Sequence, residues 1–197
     1  SARRRTCTVA AGPPMKAYDF TVELGSRSYP VYLRSNARPE LVELSLELAT
    51  TGKAVVISDG NVGPLYAHDF VAELRSRGLK VALLTFSAGE DHKNMATVQS
   101  LYERCLDFGV DRKTPIIAYG GGVVGDVAGF VASTLLRGLP FVQAPTTVLS
   151  QVDSSVGGKV GVNLPQGKNL VGAFYQPQWV FMDAIHLQTQ TIEERRS

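Results

Sequence analysis

The sequence predicts an α/β fold: a mostly parallel sheet with flanking helices and an N-terminal β-hairpin. Three observations predict it. Short apolar runs recur at 54–59, 81–86, 116–119, 141–144 and 180–182. Between them lie segments with helical apolar spacing closed by glycine, such as Lys93 to Phe108 before Gly109. Polar and glycine residues collect just after the apolar runs. Strands alternating with helices imply parallel pairing with right-handed crossovers. In such sheets ligands sit outside the carboxyl ends of the strands.

The 197 residues suffice for one sizeable α/β domain, and 44% hydrophobic with 19% charged residues is the balance of a soluble globular protein. A net charge of +2 gives no electrostatic case for nucleic acid. No apolar run is long enough to span a bilayer. Cys7 and Cys105 suggest neither a disulfide framework nor a zinc knuckle, which fits a reducing compartment. The three histidines, His68, His92 and His186, form no H-x-x-x-H pair, and no metal site can be assembled.

In order, residues 1–16 read as a leader. Arg3, Arg4 and Arg5 precede a Gly-Pro-Pro break, as at the end of a transit peptide, in an added segment or in a disordered arm, and Met15 is an equally good start. The expected setting is the cytoplasm, or a plastid if residues 1–14 are a transit-peptide remnant. Tyr18 to Leu24 and Tyr29 to Leu33 alternate around Gly25-Ser26-Arg27, a β-hairpin. Helices are predicted over 39–51, 62–77 and 93–108, ended by Gly52, Gly78 and Gly109. Trp179 and Tyr175 read as packing residues, His92 and His186 as surface or loop residues, and Glu193 to Arg196 as a solvated helical start.

The chain is organised around Tyr119-Gly120-Gly121-Gly122-Val123-Val124-Gly125-Asp126. An apolar strand before it and small apolar residues after it give strand, glycine turn, helix. The glycines allow close backbone approach and φ > 0. The helix start offers unpaired N–H groups and the positive end of its dipole, an anion site suited to phosphate or pyrophosphate. Asp126 can accept from a sugar hydroxyl. The spacing is neither G-x-G-x-x-G nor G-x-x-x-x-G-K-[ST], and the competing reading is close helix–sheet packing. The other strand ends favour a nucleotide: Asp59 and Asn61, Glu90 and Lys93, and Thr146-Thr147.

A second dense stretch, Gln151 to Gly172, combines Asp153, Ser154, Ser155, Lys159, Asn163, Lys168 and Asn169 in what reads as one glycine-rich loop. The lysines supply point charges for phosphate or carboxylate. Asp153 can position or deprotonate a hydroxyl. Arg137 ends a helix, where it either caps the dipole or binds phosphate, for a neighbouring subunit.

Gly89-Glu90-x-x-Lys93, Gly120 to Asp126, Arg137-Gly138, Pro145-Thr146-Thr147, Asp153 to Lys159 and Gly167-Lys168-Asn169-Leu170, in that order, resemble the 3-dehydroquinate synthase family, second enzyme of the shikimate pathway. The match runs from about Tyr18 to Thr189. It implies a Rossmann-like NAD-binding domain over 17–189, followed by a helical metal-binding domain of which 190–197 are a truncated start. By the family's pattern Asp59, Asn61, Glu90, Lys93, Gly121, Gly122, Val123, Val124, Gly125, Asp126, Thr146, Thr147, Lys168 and Thr189 contact NAD. Lys159 lies between the cofactor and substrate sites and binds the substrate's phosphate, with Asn169 nearby. Asp153 holds a substrate hydroxyl, and Arg137 reaches across a homodimer interface. The implied substrate is 3-deoxy-D-arabino-heptulosonate 7-phosphate. Its C5 hydroxyl is oxidised by NAD, phosphate leaves by β-elimination, the hydride returns, the ring opens and an aldol step closes the carbocycle. A divalent metal, zinc or cobalt, polarises the reacting hydroxyl.

The family's metal ligands, one glutamate and two histidines, would come from the helical domain, the glutamate a few residues beyond Ser197. None is among these residues, and Gln190-Thr191 stands where the family has Leu-Pro. The expectation is the cofactor half of a longer enzyme or a truncated product, binding NAD weakly or not at all alone and catalytically inactive. The alternatives are another sugar phosphate cyclase, such as 2-deoxy-scyllo-inosose synthase or a sedoheptulose 7-phosphate cyclase, a non-catalytic NAD-binding module, and a metal-dependent polyol dehydrogenase. The Lys159 and Lys168 pair disfavours the last.

Overall fold

A computed structural model describes residues 18–190. The leader over 1–16, Cys7 and the helical start over 191–197 lie outside the described residues. The N-terminal hairpin is present as β1 (Phe20–Val22) and β2 (Tyr29–Arg34), antiparallel and joined through a 3-10 turn at Gly25–Arg27. Helix α1 (Arg38–Leu48) leads to β3 (Lys53–Asp59). A wide turn, Gly63–Ala67, runs into α2 (His68–Ser76), so the segment expected to be one helix begins with Pro64 in a π-type turn. Then follow β4 (Lys80–Phe86), α3 (Met95–Phe108), β5 (Ile116–Gly120), α4 (Gly122–Thr134) and β6 (Phe141–Pro145).

Helix α3 starts two residues later than its apolar spacing suggests. The Asn94 side chain accepts from the Thr97 N–H at 3.0 Å, a helix cap, and this leaves Lys93 outside the helix. At the other end Gly109 takes φ 80°, the left-handed closure that glycine adopts without a Cβ penalty.

The seven-stranded sheet has the order β1-β2-β9-β6-β5-β3-β4, with β9 at Val180–Asp183. Every pair but β1–β2 is parallel. Alternation along the strands feeds two cores. Ala54, Val56, Ile117, Val142 and Phe181 face Leu41, Phe70 and Leu74 of α1 and α2. Val55, Ile57, Ile116, Ala118 and Phe141 face Leu101, Val127 and Val131 of α3 and α4. Burial on both faces is why these strands read as continuous apolar runs. From β3 the chain moves outward to β4, then returns to the other side of β3 as β5. That reversal opens a crevice at the carboxyl ends of β3 and β5, where ligands bind in such sheets.

The stretch expected to be a glycine-rich loop is instead an antiparallel hairpin, β7 (Lys159–Leu164) and β8 (Gly167–Phe174), preceded by a π-type turn at Ser150–Ser154. Gly161 and Gly172 sit opposite each other, and a Cβ on either would lie 2.7 or 2.3 Å from a carbonyl oxygen of the other strand. The strands approach too closely there for any side chain, so glycine interrupts the alternation that would have announced them. The hairpin packs on α4 at Gly129, where a Cβ would fall 2.3 Å from Val160 Cγ1.

Trp179 is buried, and Tyr175 Oη donates to the Leu139 carbonyl at 2.7 Å, both packing residues as expected. His186 is not a surface residue. It is 3% exposed, its Nε2 lies 2.8 Å from Tyr119 Oη, and its ring stands edge-on to Tyr66 and Tyr119. Burial pushes its pKa down to about 4. Cys105 is a free, buried thiol pushed up to about 11 by the same cause. Among the described residues no helix is long and apolar enough to cross a membrane.

Candidate active site

The glycine turn joins β5 to α4 at the crevice. Gly120, Gly121 and Gly122 do not use positive φ; Gly121 has φ −74° and ψ −171°. What they contribute is the missing side chain. A Cβ on Gly121 would stand 3.2 Å from Thr147 Cγ2, and one on Gly122 3.1 Å from Ser154 Oγ. The turn thus forms a cradle against the loop after β6, with the α4 N–H groups at its floor. Val124 is fully buried with its side chain against Gly120, where a Cβ would fall 2.6 Å from Val124 Cγ2, and Val123 is half-buried.

Lys93 is the centre of the site. It is 4% exposed, and its Nζ donates to Asp126 Oδ2 and to Asn169 Oδ1, each at 2.5 Å. Burial pushes the Asp126 carboxyl above its ordinary value of 3.8, while the Lys93 ammonium pulls against that. Asn169, at φ 56°, donates its backbone N–H to Asn163 Oδ1 at 2.8 Å. Asn163 Nδ2 donates to Glu90 Oε1 at 2.8 Å. Glu90 and Lys93, expected on the cofactor side, therefore join Asn169, expected on the substrate side. Asn163 was in view as part of the dense stretch but had no assigned role. Its signal is register: only the hairpin aligns it with Glu90, which is 73 residues away.

Asp126, Asp153, Ser154, Lys159 and Asn169 line one cavity of about 460 Å³, with Phe174 at its edge. Lys159 opens β7, Asp153 lies in the turn before it, and Asn169 is on β8, so hairpin and turn form one wall while α4 forms the other. Lys168 is exposed beside Asn169 on β8.

The remaining expected residues stand apart from this cluster. Asp59 Oδ1 accepts from the N–H groups of Asn61 (2.9 Å) and Val62 (2.8 Å), closing the loop after β3. The Thr146 N–H donates to the Gly120 carbonyl at 3.0 Å, and its buried Oγ1 has no hydrogen-bond partner. Thr147 Oγ1 is 2.8 Å from Ser150 Oγ. Thr189 Oγ1 is 2.7 Å from Tyr66 Oη. Arg137 is exposed at the far end of α4, about 20 Å from the glycine turn at 1.5 Å per residue. Both Leu136 and Arg137 have positive φ, 52° and 69°.

A cradle that a Cβ would obstruct, together with an orphaned buried hydroxyl at Thr146, fits the phosphates and ribose of a dinucleotide. No group of three or more His, Cys, Asp or Glu side chains that could hold a metal occurs among the described residues. These residues do not fit a divalent metal.

Known proteins match this geometry. The model of the 3-dehydroquinate synthase N-terminal domain matches residues 83–197. The chain is 49% identical to the 3-dehydroquinate synthase of Pelotomaculum thermopropionicum over 176 residues, covering 89% of this chain and 47% of that protein. Among solved structures, 2-deoxy-scyllo-inosose synthase complexed with carbaglucose-6-phosphate, NAD+ and Co2+ superposes with a TM-score of 0.80 at 32% identity, covering 89% of this chain and 48% of that one. The 2-epi-5-epi-valiolone synthase of Streptomyces hygroscopicus, with NAD+ and Zn2+ bound, gives 0.78 at 28% identity, over 90% and 48%. The chain spans about half the length of the curated relatives it matches. With its Rossmann-like sheet, glycine turn and lined cavity, the chain belongs to the 3-dehydroquinate synthase family, through that family's N-terminal domain.

Proposed function

We propose that this chain is the cofactor-binding part of a 3-dehydroquinate synthase, which converts 3-deoxy-D-arabino-heptulosonate 7-phosphate to 3-dehydroquinate and phosphate. The observation that carries the reading is the gathering of Asp126, Asp153, Lys159 and Asn169 on one cavity beside the glycine turn.

The glycine turn, Glu90, Lys93, Asp126, Thr146 and Thr147 hold NAD, which when bound supplies a reversible hydride acceptor. Asp59, Asn61, Lys168 and Thr189 complete its contacts. Lys159 neutralises the substrate phosphate as a point charge, an interaction worth about 1.5–3 kcal/mol. Asp153 accepts from a substrate hydroxyl and fixes its orientation. Asn169 gives its Oδ1 to Lys93 and so turns its amide N–H groups toward a hydroxyl or phosphate oxygen in the cavity. Arg137, far from its own cavity, serves the site of a partner subunit in a homodimer. The chemistry of these residues is binding, orientation and charge.

Alone, the chain holds NAD weakly and does not turn over. The test is a chimera in which this chain is joined to the second half of the Pelotomaculum relative. Phosphate release from the heptulosonate phosphate, abolished by Lys159→Ala, is the expected result. A folded chimera that ignores this substrate and acts on glucose 6-phosphate would transfer the reading to the 2-deoxy-scyllo-inosose synthase class.

A further inference from the structure

One amide, that of Asn163, bonds to residues on both sides of the cleft. Asn163 lies where the β7–β8 register shifts, between Val162 and Leu164. Such a bulge re-aims a side chain out of the regular ladder. Its backbone N–H leaves the hairpin and donates to the Lys93 carbonyl at 2.8 Å. Both ends of its side chain are used, Nδ2 toward the Glu90 carboxylate and Oδ1 toward the Asn169 N–H. The pairing also fixes which way the amide points, because a carboxylate accepts and an N–H donates.

We propose that Asn163 is the positioning residue that locks the cofactor side of the cleft to the substrate side: it aims Glu90 and holds Asn169 in its left-handed conformation, where Asn169 receives the Lys93 ammonium. It touches neither ligand. Asn169 is a non-glycine residue at φ 56°, a conformation that persists only when its surroundings hold it. The N–H bond to Asn163 supplies that hold, and the Lys93 bond to Asn169 Oδ1 depends on it. Loss of Asn163 therefore releases Glu90 and Asn169 together, one on each side of the cleft.

The proposal rests on the function given above, and its test separates the two. In the purified chain, hydrogen exchange of the Asn169 amide is followed by NMR alongside NAD titration, for wild type, Asn163→Ala and Asn163→Asp. Asn163→Ala is expected to speed Asn169 exchange several-fold, the scale of a neutral hydrogen bond, and to weaken NAD about ten-fold, the scale of one to a charged group. Asn163→Asp keeps the acceptor for Asn169 but faces Glu90 with a second carboxylate. Two facing carboxylates repel each other. Asn163→Asp is therefore expected to keep slow Asn169 exchange while weakening NAD through the Glu90 side, whereas Asn163→Ala loses both. A purely structural role would give both variants the same loss in both measurements. Unchanged Asn169 exchange in Asn163→Ala, or exchange in Asn163→Asp as fast as in Asn163→Ala, overturns the proposal. If the wild-type chain binds no NAD, the cofactor reading of the isolated chain fails, and Asn169 exchange alone decides the role of Asn163.

Discussion

Lys93 and Asp126 form a buried ion pair, 2.5 Å between Nζ and Oδ2, linking the loop after β4 to the first turns of α4. Lys93→Met keeps the length of the side chain and removes its charge, leaving Asp126 buried without its ammonium. Breaking such a pair from one side costs about 3–5 kcal/mol when fully buried; Asp126 keeps 20% side-chain exposure, so the lower end is expected. The sign with pH follows from the raised Asp126 pKa. The folded state holds its proton above 3.8 while the unfolded state releases it, so this group's contribution to stability falls as pH rises through that window. Lys93→Met raises the folded value further and carries the decline to higher pH. Denaturant titrations of the variant at several pH values measure this.

His186 has the opposite sign. Its folded pKa is lowered to about 4, while the unfolded chain takes up the proton near 6.5. Stability is therefore lost as pH falls from 6.5 to about 4, by up to roughly 3 kcal/mol at 1.36 kcal/mol per unit. His186→Gln, compared with wild type across this range, should flatten the acid limb. An unchanged slope would mean that His186 is not held neutral by burial.

Gly129 sets how the hairpin lies on α4. The Cβ of Gly129→Ala would meet Val160 Cγ1 at 2.3 Å and Phe141 at 3.0 Å, both on packed side chains. Overpacking of this kind costs about 1–3 kcal/mol. Val160→Ala opens the space, so the double variant should be more stable than the sum of the single effects allows. Thermal unfolding of the four proteins of this cycle measures the coupling.

Asp183, 2% exposed, accepts from the N–H groups of Asn36 and Ala37, each at 2.7 Å, and Ile185 at 3.0 Å. It ties the end of β9 to the start of α1. Asp183→Ala orphans these donors at about 1–3 kcal/mol for each that stays buried. Loss of at least that much in equilibrium unfolding is expected, with Asp183→Asn intermediate because one oxygen acceptor survives.

The parallel strands were legible because burial on both faces writes continuous apolar runs such as Ala54-Val55-Val56-Ile57. Of the cavity residues, Asp126 was legible at the end of the glycine turn, and Asp153, Lys159 and Asn169 as charged and polar residues among glycines in the second dense stretch. The β7–β8 hairpin was not, because Gly161 and Gly172 stand where the strands approach most closely and erase the alternation. His186 was not, because its partner Tyr119 is 67 residues away and a lone histidine after a strand carries no periodicity. Asn163 was visible only as one polar residue among many; its role follows from a register shift that composition does not encode.

The most direct measurement is NAD titration into the purified chain followed by backbone amide shifts, which registers even weak binding. Saturable shifts centred on Gly120 to Asp126, Lys93 and Thr146-Thr147, lost in Lys93→Ala, are expected. A folded chain with no shifts at about 10 mM NAD, well above the roughly 1 mM dissociation constant of about 4 kcal/mol of binding, would contradict the cofactor site. So would shifts confined to the groove near Arg27 and Tyr175 at the amino ends of β2, β6 and β9.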